Sequence, residues 1–274
     1  MRTVTVVAGA IGVTAVCMYL LRRRSHRAAT HDTPMAVERL DRVAIASRVC
    51  DHQKLINVKR IAGAAHASMY RNDEALRRWK YPKIVAGGAC ARGMAEEPFD
   101  ALEAASRATP GAGEAAVMAR LRALKAVCAT VAEKVGAQWV GVYQIVSPSA
   151  DAVRFGGDAS APNLLKLAYI GAPSRPYFPL TSEFAASSNN STVAMTGRAV
   201  VYHDVLALPT DAPYYTCDAQ VRSEACVPIY RGDSDEVIGI IDAEAFAPDV
   251  FRPPAKLGIV LAACKQLGEN GMCA

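Results

Sequence analysis

An α+β fold, with one antiparallel sheet flanked by helices, follows from three features of the 274-residue chain. A strongly amphipathic segment spans 115–135, with Val117, Leu121, Leu124, Val127, Val131 and Val135 spaced three to four apart. Short apolar or alternating runs then follow at 139–146, 163–170, 199–203, 223–230 and 236–243, bounded by Pro, Gly, Asp or Ser, as strands are. A second helical segment, 253–267, closes the chain. The helices lie before and after the strands rather than between them, which argues for helices layered on an antiparallel sheet.

Each element has its own signal. Residues 3–21 carry no charge and are followed at once by Arg22-Arg23-Arg24. At about 1.5 Å per residue this run just spans a bilayer core of roughly 30 Å. Its positive flank lies after the apolar run, opposite to a cleaved signal peptide. The expectation is a transmembrane signal anchor that leaves the body facing the cytosol. Residues 1–27 form this anchor with its basic flank. Residues 28–110 form a helical N-terminal extension and connector, and 111–270 the sheet domain. Within the extension, 35–80 reads as helical, with Val37, Leu40, Val43, Ala44, Ser47 and Cys50 at helical spacing and a break near Asn72-Asp73-Glu74. Pro82 and Gly87-Gly88 end it, and a short helix is expected near 100–107. Gly136 stands just past the amphipathic helix, where a C-terminal cap needs positive φ. Arg231-Gly232-Asp233-Ser234-Asp235 reads as the turn of a hairpin joining the last two strands.

Composition narrows the functional classes. Apolar residues make up 51% of the chain, ample for a core. The net charge of +5 equals the five arginines that precede Asp32, so the body is neutral and has no basic stripe for nucleic acid. The cysteines, Cys17, Cys50, Cys90, Cys128, Cys217, Cys226, Cys264 and Cys273, are scattered. They form neither CxxC pairs nor Cys/His clusters, so neither a metal site nor a disulfide framework is expected, and no cofactor is implied.

Strand periodicity brings certain side chains together. Residues two apart on a strand share a face. Glu224 and Cys226 therefore point one way from one strand, Asp242 and Glu244 from the next, and Trp139 and Tyr143 from an earlier one. Convergence of these faces would make an aromatic-walled pocket with three carboxylates. Carboxylates in a run as apolar as Val237-Ile238-Gly239-Ile240-Ile241 are paired, capping or functional. Cys217, in the loop Tyr215-Thr216-Cys217-Asp218, is the candidate exposed thiol.

Three motifs carry a family resemblance: Trp139-Val140-Gly141-Val142-Tyr143, Cys217-Asp218 through Ser223-Glu224, and Gly239-Ile240-Ile241-Asp242-Ala243-Glu244. From Trp139 to about Leu267 the chain resembles a GAF domain, and within that superfamily the free methionine-(R)-sulfoxide reductases. The resemblance implies Cys217 as nucleophile and Trp139 and Tyr143 as pocket walls. It implies Glu224, Asp242 and Glu244 as the groups that hold the substrate ammonium and sulfoxide. Thiol attack on the sulfoxide would leave a sulfenic acid at Cys217, recycled by thioredoxin. The chain departs from the reductase pattern in two places. Residues 187–198 contain no cysteine, with Thr196 where the resolving thiol stands, and Glu244 replaces the usual Asp. Cys226 is then the candidate resolving thiol. A non-catalytic GAF module, binding a small ligand or mediating homodimer formation, and a thiol redox sensor are the alternatives. The partners implied are a methionine sulfoxide-like ligand, thioredoxin and, through residues 3–21, a membrane.

Overall fold

The computed structural model of the protein describes residues 36–67, 73–82, 96–212, 214–215 and 217–271. Its strands are β1 (Val37–Leu40), β2 (Arg78–Pro82), β3 (Glu96–Asp100), β4 (Trp139–Val146), β5 (Asn163–Ile170), β6 (Tyr177–Pro179), β7 (Ala199–Tyr202), β8 (Ser223–Tyr230) and β9 (Val237–Ala245). Seven of them form one antiparallel sheet in the order β1-β7-β8-β9-β4-β5-β6, and β2 pairs with β3 apart from it. The helices are α1 (Arg42–His52), α2 (Val58–Ala67), α3 (Asp73–Arg77), α4 (Ala101–Ala108), α5 (Glu114–Val135), α6 (Ala150–Arg154), α7 (Ser182–Ala185), α8 (Asn189–Thr196) and α9 (Pro254–Glu269).

Strand alternation sorts the core into two clusters. Val140 and Val142 of β4, Ala225 and Val227 of β8, and Ile241 and Ala243 of β9 face α5 and α9 in the larger one. Trp139 and Tyr143, Cys226 and Ile240 face the opposite way, into a smaller cluster with Val193 and Ala194 of α8. The cap of α5 is as expected: Gly136 has φ 79° and its N–H bonds Ala132 O at 2.9 Å. The expected hairpin joins β8 to β9, with Gly232 at φ 52°.

Three expectations are corrected. The sequence predicts a fold that includes a membrane-crossing helix, yet no helix among the described residues is long and apolar enough to cross a membrane. The expected span, 3–21, lies outside those residues. The longest helix, α5, carries Arg120, Arg122 and Lys125, and its apolar stripe is buried against the sheet. The second longest, α9, has 16 residues, short of a bilayer core of roughly 30 Å, and its apolar residues are equally buried. The 35–80 region is not uniformly helical. Val37–Leu40 pairs with β7, and Asp41 then caps α1 by accepting from Ala44 N at 2.9 Å. Arg78–Pro82 is also a strand, which puts Trp79 and Tyr81 of that region, with Phe99 of β3, among Phe155, Tyr169 and Tyr177. Finally, although no disulfide framework is expected, Cys50 is disulfide-bonded.

The extension helices make a second layer behind the sheet, α1 on α9 and α2 on α5. One side chain stitches this layer to the sheet domain. Gln266 accepts from Val58 N at 2.8 Å and donates to Ile56 O at 2.9 Å and Gln53 O at 3.0 Å.

Candidate functional site

The face opposite α5 and α9 holds an open cavity of about 440 Å³, counting the solvent space at its mouth. Its floor comes from three adjacent strands. Across it Glu224 of β8 is paired with Glu244 of β9, and Gly141 of β4 is paired with Asp242. Trp139 and Tyr143 flank Gly141, with ring centroids 6.3 Å apart. A Cβ on Gly141 would lie 2.3 Å from the indole, so this glycine is what lets Trp139 lie across the strand. Gly171, at φ 104°, makes room for the other edge of the same ring. The indole N–H donates to Ala172 O at 2.8 Å, which fixes the ring's direction.

The wall comes from α8 and from the loop before β8. Ser188 caps α8, and the next two side chains reach the floor. Asn189 donates to Glu224 Oε1, and Asn190 bonds Asp242. Tyr214 donates to Glu224 Oε2 at 2.5 Å. Tyr215 packs on Phe178 and Phe184, and Arg175 lies over all three rings, so the loop carrying Cys217 rests on a fixed aromatic base. Cys217 is half-buried and lines the cavity with Glu224, Asp242 and Glu244.

The two buried carboxyls differ in environment. Burial raises the pKa of Glu224, but hydrogen bonds from Tyr214 and Asn189 oppose the rise by favouring the anion. The N-terminus of α8 adds its favourable dipole there. Burial raises the pKa of Asp242 too, and there the neighbouring Glu224 and Glu244 charges push it further up. Asp242 Oδ1 is buried and has no hydrogen-bond partner among the described residues. Both acids therefore hold their protons above the usual carboxylate range, Asp242 the more strongly. Burial, then Asp242, Cys217 and Glu244, keep the Tyr143 phenol protonated. Cys226 is wholly buried, and its thiol donates to Asn190 Oδ1 at 3.4 Å. Burial, then Asp242 and Glu224, raise its pKa well above the usual thiol value.

The structure thus brings together six of the residues singled out from the sequence: Trp139, Tyr143, Cys217, Glu224, Asp242 and Glu244. Cys226 lies on the same face of β8, paired across strands with Asp242, but packs into the smaller core cluster and does not line the cavity. Thr196 is exposed and donates to Thr192 O at 2.7 Å. Sequence reasoning missed Asn189, Asn190, Tyr214 and Ser174. The asparagines stand in a polar stretch that gives no periodic signal, and Tyr214 acts from a loop. Among the described residues no group of three or more His, Cys, Asp or Glu side chains is placed to hold a metal ion.

A sandwich with an aromatic, acid-lined cleft and a thiol at its wall defines a small-ligand domain. The chain belongs to the GAF domain family, whose profile matches residues 119–269. Among solved structures it is similar to free methionine-R-sulfoxide reductase from Neisseria meningitidis in complex with its substrate. That match has 20% identity and a TM-score of 0.39, over 56% of this chain and 81% of that one. It is also similar to a GAF sensor protein from Burkholderia vietnamiensis, at 22% identity and TM-score 0.42, over 55% and 80%. The GAF domain of an Acinetobacter phosphoenolpyruvate-protein phosphotransferase matches at 13% identity and TM-score 0.40, over 63% and 90%. No curated protein matches the chain.

Proposed function

We propose that the protein is a thiol-dependent reductase of free methionine-(R)-sulfoxide. The observation that carries this reading is Asp242: a buried, proton-bearing carboxyl with an unpartnered oxygen, lining the same cavity as the Cys217 thiol. A sulfoxide oxygen accepts hydrogen bonds strongly, and a carboxylic acid held neutral can donate to it. Glu224, kept closer to its anion by Tyr214 and Asn189, and Glu244 hold the substrate ammonium. Trp139, Tyr143 and Phe178 pack around the thioether methyl.

The reaction follows from this arrangement. Cys217 sulfur attacks the sulfoxide sulfur as Asp242 protonates its oxygen. The S–O bond breaks, the oxygen passes to Cys217 as a sulfenic acid, and methionine leaves as the thioether. The thiol proton restores Asp242. Acids beside a thiol disfavour its thiolate, and the substrate's ammonium offsets their field on binding. An external dithiol of the thioredoxin type then condenses with the sulfenic acid, releasing water, and its second thiol frees Cys217. The exposed Thr196 carries no thiol, and the buried, proton-holding Cys226 is poorly suited to resolve the sulfenic acid.

The test is turnover of free L-methionine-(R)-sulfoxide by the full chain with thioredoxin or a small dithiol. Cys217→Ser should abolish it and Cys226→Ser should leave it within a few-fold. A folded, reduced protein without turnover overturns the reading. A second reading, a GAF module that binds the same kind of ligand without turnover, is favoured by the lack of a second thiol among the described lining residues. Binding without turnover in the same assay would select it.

A further inference from the structure

We infer that Ser174, held by the buried Lys166, is a subsite for the carboxylate of the ligand; the inference rests on the proposal that the cavity takes an amino acid. The observation begins with a lysine in an unusual place. Lys166 sits in the apolar run Leu164-Leu165-Lys166-Leu167-Ala168 of β5 and is 0% exposed. Regular alternation would set Lys166 and Tyr169 on opposite faces. The register between β4 and β5 shifts between Val142 and Tyr143, so that Ala168 is opposite Val142 but Lys166 is opposite Tyr143. Alternation from Leu164 already turns Lys166 onto the cavity face, with Leu165 and Leu167 in the helix-backed core, and the bulge at Leu167 brings Tyr169 onto that same face.

The ammonium lies 5.0 Å from the Trp139 ring centroid, 5.1 Å from that of Tyr169 and 5.7 Å from that of Tyr143. Three aromatic faces suit a cation. It donates to Ser174 O at 3.1 Å and to Ser174 Oγ. An ammonium donates and never accepts, so the Ser174 oxygen spends a lone pair on Lys166 and keeps its own O–H to give. That O–H has no acceptor among the described residues. Ser174 is 6% exposed and lines the cavity. A donor backed by a buried positive charge is suited to a ligand carboxylate.

The sheet sets the spacing. The acids stand on β8 and β9, Trp139 and Tyr143 on β4, and Lys166 on β5, so charge runs from negative to aromatic to positive across the floor. From β9 to β5 is two strand steps, about 9.6 Å at about 4.8 Å each. An α-amino acid with one hydrogen bond of about 2.9 Å at its ammonium and another at its carboxylate fits that span. The arrangement selects a free amino acid over a peptide-bound residue, because a carboxylate converted to an amide loses the charge that Lys166 and Ser174 read.

Calorimetric binding of L-methionine-(R)-sulfoxide and of its α-amide to the full chain tests this. Wild type should prefer the acid. Ser174→Ala should weaken the acid about ten- to a hundredfold and the amide little, and Ser174→Thr, which keeps the hydroxyl, should restore most of the loss. Lys166→Met should likewise erase the preference for the acid. A general loss of packing would weaken both ligands together and would overturn the inference. Equal wild-type binding of acid and amide would overturn it too, with the proposed function intact. Binding of neither would remove both.

Discussion

Replacing Asp242 with Asn keeps the shape of the buried carboxyl and removes its titration. An unfolded Asp releases its proton near pH ~3.9. In the folded protein, burial and the Glu224 and Glu244 charges hold that proton to far higher pH. Between those two values the folded state binds one more proton than the unfolded chain. Stability varies with pH as the protons bound unfolded minus those bound folded, which is negative here. The stabilising contribution is therefore complete below about pH 4 and is lost as pH rises toward the folded-state pKa. One proton corresponds to about 1.4 kcal/mol per pH unit. Glu224 adds in the same direction but less, since Tyr214 and Asn189 oppose its burial. The variant minus wild-type difference in unfolding free energy should thus rise with pH, by at most about 1.4 kcal/mol per pH unit. Urea denaturation at half-unit steps from about pH 5 to about pH 8 measures it. Parallel curves for the two proteins would show that Asp242 ionises normally, and its role as proton donor would fall.

Other outcomes follow from single contacts. Gly141→Ala puts a methyl 2.3 Å from the Trp139 indole, so it should cost about 1–3 kcal/mol in denaturation and weaken ligand binding; unchanged affinity would mean that the ring does not wall the site. Tyr214→Phe removes the 2.5 Å donor to Glu224, so calorimetry should find a cationic ligand bound about 1.5–3 kcal/mol more weakly, with the rise in affinity with pH displaced upward. Gln266→Ala unpairs Val58 N and two carbonyls, and should lower unfolding free energy by about 1–3 kcal/mol without altering the cavity.

The sheet was legible in the sequence because its strands alternate cleanly. Val140, Val142 and Ile241 face one way and Trp139, Tyr143 and Asp242 the other, so parity alone assembled the floor of the site. What parity could not reach lies where the backbone breaks it. Tyr169 joins Lys166 on the cavity face only through a bulge, which single-strand periodicity does not encode. Asn189 and Asn190 act from the first turn of a short helix whose apolar pattern is weak. In the extension, Val37 and Leu40 fit a helical repeat as well as a strand. Only the partner, β7, settles the matter, and it lies far along the chain. A lone lysine inside five otherwise apolar residues was the one signal that could have pointed to the cation side of the cavity.

That first strand has a consequence for how the protein is made. Val37 pairs with Tyr202, and His203 N–H reaches back to Ala36 O at 2.7 Å. During synthesis the amino end leaves the ribosome first, yet its pairing partner is made only after β4, β5 and β6. Strand β1 must therefore wait, unmatched, while the middle of the chain assembles, and such long-range pairings close late. The edge of the sheet thus reports completion: a chain interrupted before β7 leaves its earliest strand open to other strands and to proteases.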